Sequence, residues 1–97
     1  MRVIARTALR NFSNRHKDAK ESLDAWWHEA RRANWVSPAD IKAQYRTASI
    51  IKNDRVVFNI CGNKYRLVVR INYHAKIVYI RFVGTHEEYN KIDAEVI

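Results

Sequence analysis

The sequence predicts an α+β fold, helices first and a mostly antiparallel sheet afterwards. Two observations carry that expectation. Up to about residue 45, apolar residues recur every three or four positions, the period of helices that bury one face. From about residue 48 the pattern alternates and fills with β-branched and aromatic side chains, as strands do. A third observation sets the scale: 97 residues, 47% hydrophobic, with two glycines and one proline, suit a single domain over residues 1–97 with no linker or repeat.

The elements follow in order. "RVIA" reads as a short first strand, after which Ala5, Ala8, Leu9 and Phe12 fall at helical spacing. Asp18 and Glu21 have the spacing of a capping box ahead of a second helix, whose inward stripe is Ala19, Leu23, Trp26, Ala30 and Ala33. Ser37 followed by Pro38 joins an N-cap to the residue best suited to a first helical position, so a third, short helix starts there. The strands are "SIIK", "RVVFNI", "YRLVVRI" and "IVYIRFV". Turns at "NDR", "CGNK" and "NYHAK" join them as hairpins, with the helices covering one sheet face and the other face left free. Thr85 and Glu88, again at capping-box spacing, begin a short C-terminal helix.

Composition narrows the function classes. A lone cysteine, Cys61, excludes an internal disulfide and a thiolate zinc cluster, which fits a reducing, cytoplasmic setting. No run approaches the roughly 18 apolar residues that span a bilayer, and "MRVIARTALR" places charges where a signal peptide needs an apolar stretch, so no membrane association is expected. Eighteen Lys and Arg against ten Asp and Glu give a net charge of +8, which points to a polyanionic partner such as RNA, DNA or a ribosome. The excess is distributed: ten basic and five acidic residues precede position 51, eight and five follow.

Strand alternation sorts the basic residues by face. In "YRLVVRI", Tyr65, Leu67, Val69 and Ile71 face the core, leaving Arg66, Val68 and Arg70 opposite. In "IVYIRFV", Val78, Ile80 and Phe82 take the core side, and Ile77, Tyr79, Arg81 and Val83 the other. Arg81 then joins Arg66 and Arg70 on the free face. Like charges that converge cost stability unless an anion sits between them, so this face is a candidate anion site.

"GTHEEYN" continues from the strand that carries Arg81. His86 and Tyr89, three apart, share one side of the first helical turn, where free backbone amides favour a phosphate. An imidazole exchanges protons near neutral pH, and a tyrosine hydroxyl orients or donates. Cutting RNA without a metal needs a base for the 2′-hydroxyl, a proton for the leaving oxygen, and positive charge for the phosphorane. His86, Tyr89, Arg66, Arg70 and Arg81 supply those types. No spacing suggests a metal site or a glycine-rich phosphate loop, so no cofactor is expected.

The chain resembles the HigB family of bacterial toxins, within the RelE superfamily of mRNA-cleaving toxins. The paired motifs "GNKYRLVVRI" and "VYIRFVGTHEEY" carry the resemblance most specifically. "MRVIARTALRNF", "LDAWWHEARRANWVSPADIKAQY" and "ASII" extend it over nearly the whole chain. The resemblance implies a compact RelE-like domain that works without metal. It implies a type II toxin that cuts mRNA on the translating ribosome, neutralised by a HigA-like antitoxin with a helix-turn-helix domain. By position, the "YR" strand motif gives Arg66, the "YIR" strand Arg81, and the "THxEY" motif His86 and Tyr89, as catalytic residues; Arg70, Lys64, Lys52 and Lys91 are RNA-binding candidates. Two positions depart from the family: Asn90 where an aspartate is expected, which removes a negative charge beside His86, and Cys61 where relatives carry a glycine or a basic residue.

Other residues read as structural. Trp26 and Trp35 are expected in the core, with Trp27 beside them facing solvent or an antitoxin. His16, His28 and His74 read as surface residues. Two further function classes stand beside the nuclease: a toxin of the same fold that poisons a protein target without chemistry, and a basic RNA- or ribosome-binding protein that leaves growth unaffected.

Overall fold

A computed structural model describes residues 1–97. The element order is β1 (Arg2–Ile4), α1 (Arg6–Arg15), a 3₁₀ turn (Lys17–Ala19), α2 (Lys20–Arg32), α3 (Pro38–Gln44), β2 (Ser49–Ile51), β3 (Arg55–Ile60), β4 (Tyr65–Asn72), β5 (Ile77–Thr85) and α4 (His86–Tyr89). The five strands form one sheet in the order β1-β5-β4-β3-β2. Strands β2 to β5 pair antiparallel through successive hairpins, and β1 adds to the edge of β5 in parallel. This is the α+β arrangement the sequence predicts, with three helices between the short first strand and the four antiparallel strands.

The hairpin turns bend where the sequence supplies tolerant residues. Asn53 and Asp54 both adopt left-handed backbone (φ 61° and 59°), a conformation that short polar side chains accept better than most. Gly62 does the same at φ 68°, following Cys61 at φ 55°, in the turn between β3 and β4.

Three helices close one sheet face. Leu9 and Phe12 of α1, Leu23, Trp26 and Ala30 of α2, and Ile41 of α3 pack with Val56, Phe58, Leu67, Val69, Ile71 and Val78 of the sheet. Phe58 stands at the centre of an aromatic group, its ring 5.4 Å from Trp26, 5.1 Å from Tyr45 and 6.2 Å from Trp35. Trp35 also donates its indole N–H to Gln44 Oε1 at 3.1 Å, satisfying its polar edge. The stripe expected on α2 is therefore inward, as is the tryptophan at its centre. On α1 the inward residues are Leu9, Phe12 and Ser13, and Ala5 and Ala8 are exposed.

The first capping box forms differently from its spacing. Helix α2 begins at Lys20 with no side-chain cap, because Asp18 turns away and bonds across to β4. The α3 start is as expected: Asp40 accepts from the amides of Val36 and Ser37 at 2.8 and 3.3 Å, and Pro38 opens the helix.

The second sheet face is partly covered rather than free. The segment after α4 lays Ala94 against Val57 and Val68, with Phe82, Tyr89, Ile92 and Ile97 around them. Buried Arg55 fastens this segment, donating to the Ile97 carbonyl from Nη2 (2.5 Å) and Nε (3.2 Å) and to the Asn53 carbonyl (2.8 Å). Asn53 in turn donates to the Glu95 carbonyl at 2.9 Å.

The β4–β5 register corrects the predicted faces of β5. Val68 lies opposite Phe82 and Val69 opposite Ile80, which leaves Arg81 as an extra, unpaired residue in a β-bulge. The bulge reverses the phase beyond it. Val78, Ile80 and Val83 pack against the helix-side core, and Phe82 belongs to the second face, the reverse of the alternation read for Phe82 and Val83.

Candidate active site

The end of the β4–β5 hairpin carries the chemistry-bearing residues. Its last pairs are Arg66 with Gly84 and Tyr65 with Thr85, so the strands deliver the chain directly into α4. Thr85 caps that helix. Its hydroxyl accepts from the Glu88 amide at 3.2 Å, and Glu88 Oε1 accepts from the Thr85 amide at 2.8 Å. The Thr85 amide bond holds the Glu88 carboxyl below its ordinary range despite some desolvation. Gly84 leaves room for this closure, since a Cβ there would overlap the Phe82 ring and come within 3.0 Å of Glu88 Oε1.

His86 opens α4, exposed, with Nδ1 at 3.3 Å from the side-chain amide nitrogen (Nδ2) of Asn90 one turn later. The uncharged residue at the departing position thus contacts the histidine it was expected to influence. His86 lines an open cleft of ≈ 450 Å³ together with His16, Lys64, Tyr65, Thr85 and Glu87. Tyr89, half-buried, faces the other side: its ring packs in the second-face cluster at 6.5 Å from Phe82, with the Arg66 guanidinium 5.9 Å from its centre. Arg66 also donates to the Asn63 carbonyl at 3.2 Å, which steadies its stem over the hairpin end.

The remaining arginines make a second group. Arg70 and Arg81 each place a guanidinium 6.0 Å from the Tyr79 ring, so they share one face across neighbouring strands as the sequence predicts. Arg81 is exposed on the bulge, five residues before His86, or ~16 Å along an extended strand. The structure therefore divides the predicted set. The Arg66 guanidinium lies 5.9 Å from the Tyr89 ring centre, Arg70 and Arg81 flank Tyr79, and His86 stands in the cleft at the strand end. Lys52 lies exposed in the β2–β3 turn and Lys91 just beyond α4.

Two residues at this end escaped the sequence reading. Asp18, expected to cap α2, receives the Tyr65 hydroxyl at 2.6 Å and forms an ion pair with Lys64. The Lys64 and Tyr65 hydrogen bonds hold its carboxyl below the ordinary range, and Asp18 raises Lys64 and Tyr65 in return. Lys64 is thus already paired at the cleft rim, although both partners remain solvent-accessible. His16, read as a surface residue, is half-buried against Phe12 (ring centroids 4.4 Å, stacked) and Tyr65 (5.3 Å). His28 and His74 are exposed as expected. Trp27 is covered by Arg6 and Arg31, whose guanidinium carbons lie 3.6 and 4.5 Å from its ring centre.

No three His, Cys, Asp or Glu side chains gather as metal ligands would, and no helix is long and apolar enough to cross a membrane. Residues 19–92 match the family described as HigB toxin, the RelE-like toxic component of a toxin–antitoxin system. The chain belongs to that family. It is 28% identical over 92 residues to the mRNA interferase toxin HigB of Escherichia coli K12, a match covering 93% of this chain and 88% of the relative. The mRNA interferases HigB of Escherichia coli O157:H7 and Shigella flexneri match with the same identity and coverage.

Proposed function

We propose that this toxin is a ribosome-dependent, metal-independent endoribonuclease that cleaves translated mRNA by acid–base attack of the 2′-hydroxyl on the neighbouring phosphate. The reading joins the family to its mRNA interferase relatives and to one observation, the open cleft that presents His86 beside a basic strand pair. His86 exchanges a proton with the RNA. Tyr89 orients the nucleotide, and Arg66, drawn toward its ring, supplies positive charge to the phosphorane. Arg81 and Arg70 form a second cationic pair further along the hairpin, suited to stabilising charge on the RNA backbone as it leaves the cleft. Lys64 holds RNA from the rim, while Lys91 beyond α4 and Lys52 in the β2–β3 turn, at the far end of β3, contact RNA away from the cleft; the Lys64–Asp18 pair is solvent-accessible, so exchanging it for a phosphate costs little. The toxin acts in the cytoplasm as a single domain and is neutralised by a HigA-like helix-turn-helix antitoxin.

Expression without any antitoxin, followed by mapping of transcript 5′ ends, tests this reading. The expected result is growth arrest with new 5′ ends inside translated reading frames, both relieved by His86→Ala or Arg66→Ala in proteins that still fold. Arrest with unchanged transcripts would instead identify a toxin that poisons a protein target, and unimpaired growth would identify an RNA-binding protein without activity.

A further inference from the structure

The cleft at the strand end holds two imidazoles. His86 enters from the start of α4, and His16 from the residue that ends α1. His16 is not loosely placed: one ring face stacks on Phe12 at 25° between planes, and Tyr65 closes on it at 57°. Ring packing of this kind fixes the orientation of a side chain and leaves its nitrogens uncommitted, which suits a group that must exchange protons with a bound substrate. It lies just before the span that matches the family, 19–92.

Its charged surroundings come from every element packed around it. Arg15 and Lys17 flank it in the chain, Lys64 and Tyr65 lie across the cleft on the β4 side, and Glu87 and Glu88 belong to α4. Asp18, two residues on, is committed to Lys64 and Tyr65. No carboxylate makes a hydrogen bond to the His16 ring; those of Asp18 and Glu88 bond to Lys64, Tyr65 and Thr85 instead.

RNA cleavage through the 2′-hydroxyl needs two proton transfers of opposite sense. We propose that His16 is a second catalytic residue and works with His86 as an acid–base pair across this cleft, a proposal that rests on the endoribonuclease reading above. One imidazole takes the 2′-hydroxyl proton as that oxygen bonds to phosphorus. The phosphorus–5′-oxygen bond breaks, and the other, protonated, imidazole delivers its proton to the departing 5′-oxygen. The products are a 2′,3′-cyclic phosphate and a 5′-hydroxyl, and the pair ends with its protons exchanged. This assignment leaves Tyr89 outside the proton transfers, in keeping with its seat on the opposite face.

The test is single-turnover cleavage of a defined mRNA on programmed ribosomes, measured across pH for the wild type, His16→Phe and His16→Ala. Phenylalanine keeps a ring stacked on Phe12 and removes both nitrogens, so a wild-type thermal midpoint for His16→Phe controls for folding. The proposal predicts a bell-shaped wild-type profile, a loss of at least about 10²-fold in His16→Phe, and a residual rate that has lost one of the two limbs. Wild-type rate and profile in His16→Phe would overturn the role of His16 while leaving the nuclease reading intact. If the wild-type protein cuts no mRNA at all, the reading beneath it fails first.

Discussion

Val68 and Val69 are neighbours in β4, both fully buried, and they serve different cores. Val69 faces the helices within a cluster of 17 buried residues, whereas Val68 faces the C-terminal segment in a cluster of three. The larger cluster gathers every helix from α1 to α3 on one side of the sheet and so supplies most of the apolar burial that drives folding. The smaller one seats Phe82 and Tyr89, the ring beside Arg66. The helix-side face supplies most of the stability and, through Tyr65, one wall of the cleft, whereas the other face seats Tyr89 near Arg66.

Substitutions that treat the two faces alike should separate these duties. The largest loss is expected from Phe58→Ala, which empties the centre of the helix-side aromatic group: about 3–5 kcal/mol in chemical denaturation, a large fraction of a small domain's stability. Val69→Ala should cost about 2–3 kcal/mol by the same measurement, since a rigid three-helix cover cannot collapse into the space. Val68→Ala removes the same atoms but lies under a short segment that can settle, so about 1–2 kcal/mol is expected, with a fall in mRNA cleavage larger than that of Val69→Ala. Equal stability losses and equal activity for the two valine variants would erase the proposed division.

Smaller effects sharpen the comparison at the strand end. Thr85→Ala removes the α4 cap and should lower stability by about 1 kcal/mol, while reducing cleavage more than this fraying alone explains, because His86 is the first residue of the uncapped turn. The smallest change is expected from Asp18→Asn, read in stability against pH. The folded-state carboxyl lies below its ordinary value of 3.8, so its contribution is present above that pH and fades as pH falls through the lowered folded value. The variant should therefore be less stable than wild type near neutrality and converge with it in acid. A constant difference down to strongly acid pH would show that the bonds to Lys64 and Tyr65 carry none of this dependence.

Much of this architecture is legible in the residue pattern. The periods of 3.6 and 2, the Ser37–Pro38 start and the Thr85–Glu88 cap all appear where their chemistry places them. The bulge at Arg81 is not legible, because Phe82 and Val83 are both apolar and satisfy either phase; only pairing with Val68 and Val69 decides between them. Asp18 also misleads, since capping-box spacing is a local signal and its bonds to Lys64 and Tyr65 span 46 and 47 positions. His16 carried a weak signal: it lies four residues after Phe12, on the same helical face, which predicts ring contact toward the core. The C-terminal cover went unread because Ile92, Ala94 and Ile97 follow neither period. Local placement was legible where a strand or helix turn repeats a residue type, and not where the third dimension brings α1 and Asp18 to β4.

The chemistry of the cut ends decides most directly whether this cleft drives attack by the 2′-hydroxyl. RNA released by the wild-type toxin from programmed ribosomes should carry a 2′,3′-cyclic phosphate upstream and a 5′-hydroxyl downstream, and a 2′-deoxy substitution at the scissile nucleotide should abolish the cut. A 5′-phosphate end, or an undiminished rate on the 2′-deoxy substrate, would contradict attack by the 2′-hydroxyl and with it the acid–base role given to this cleft.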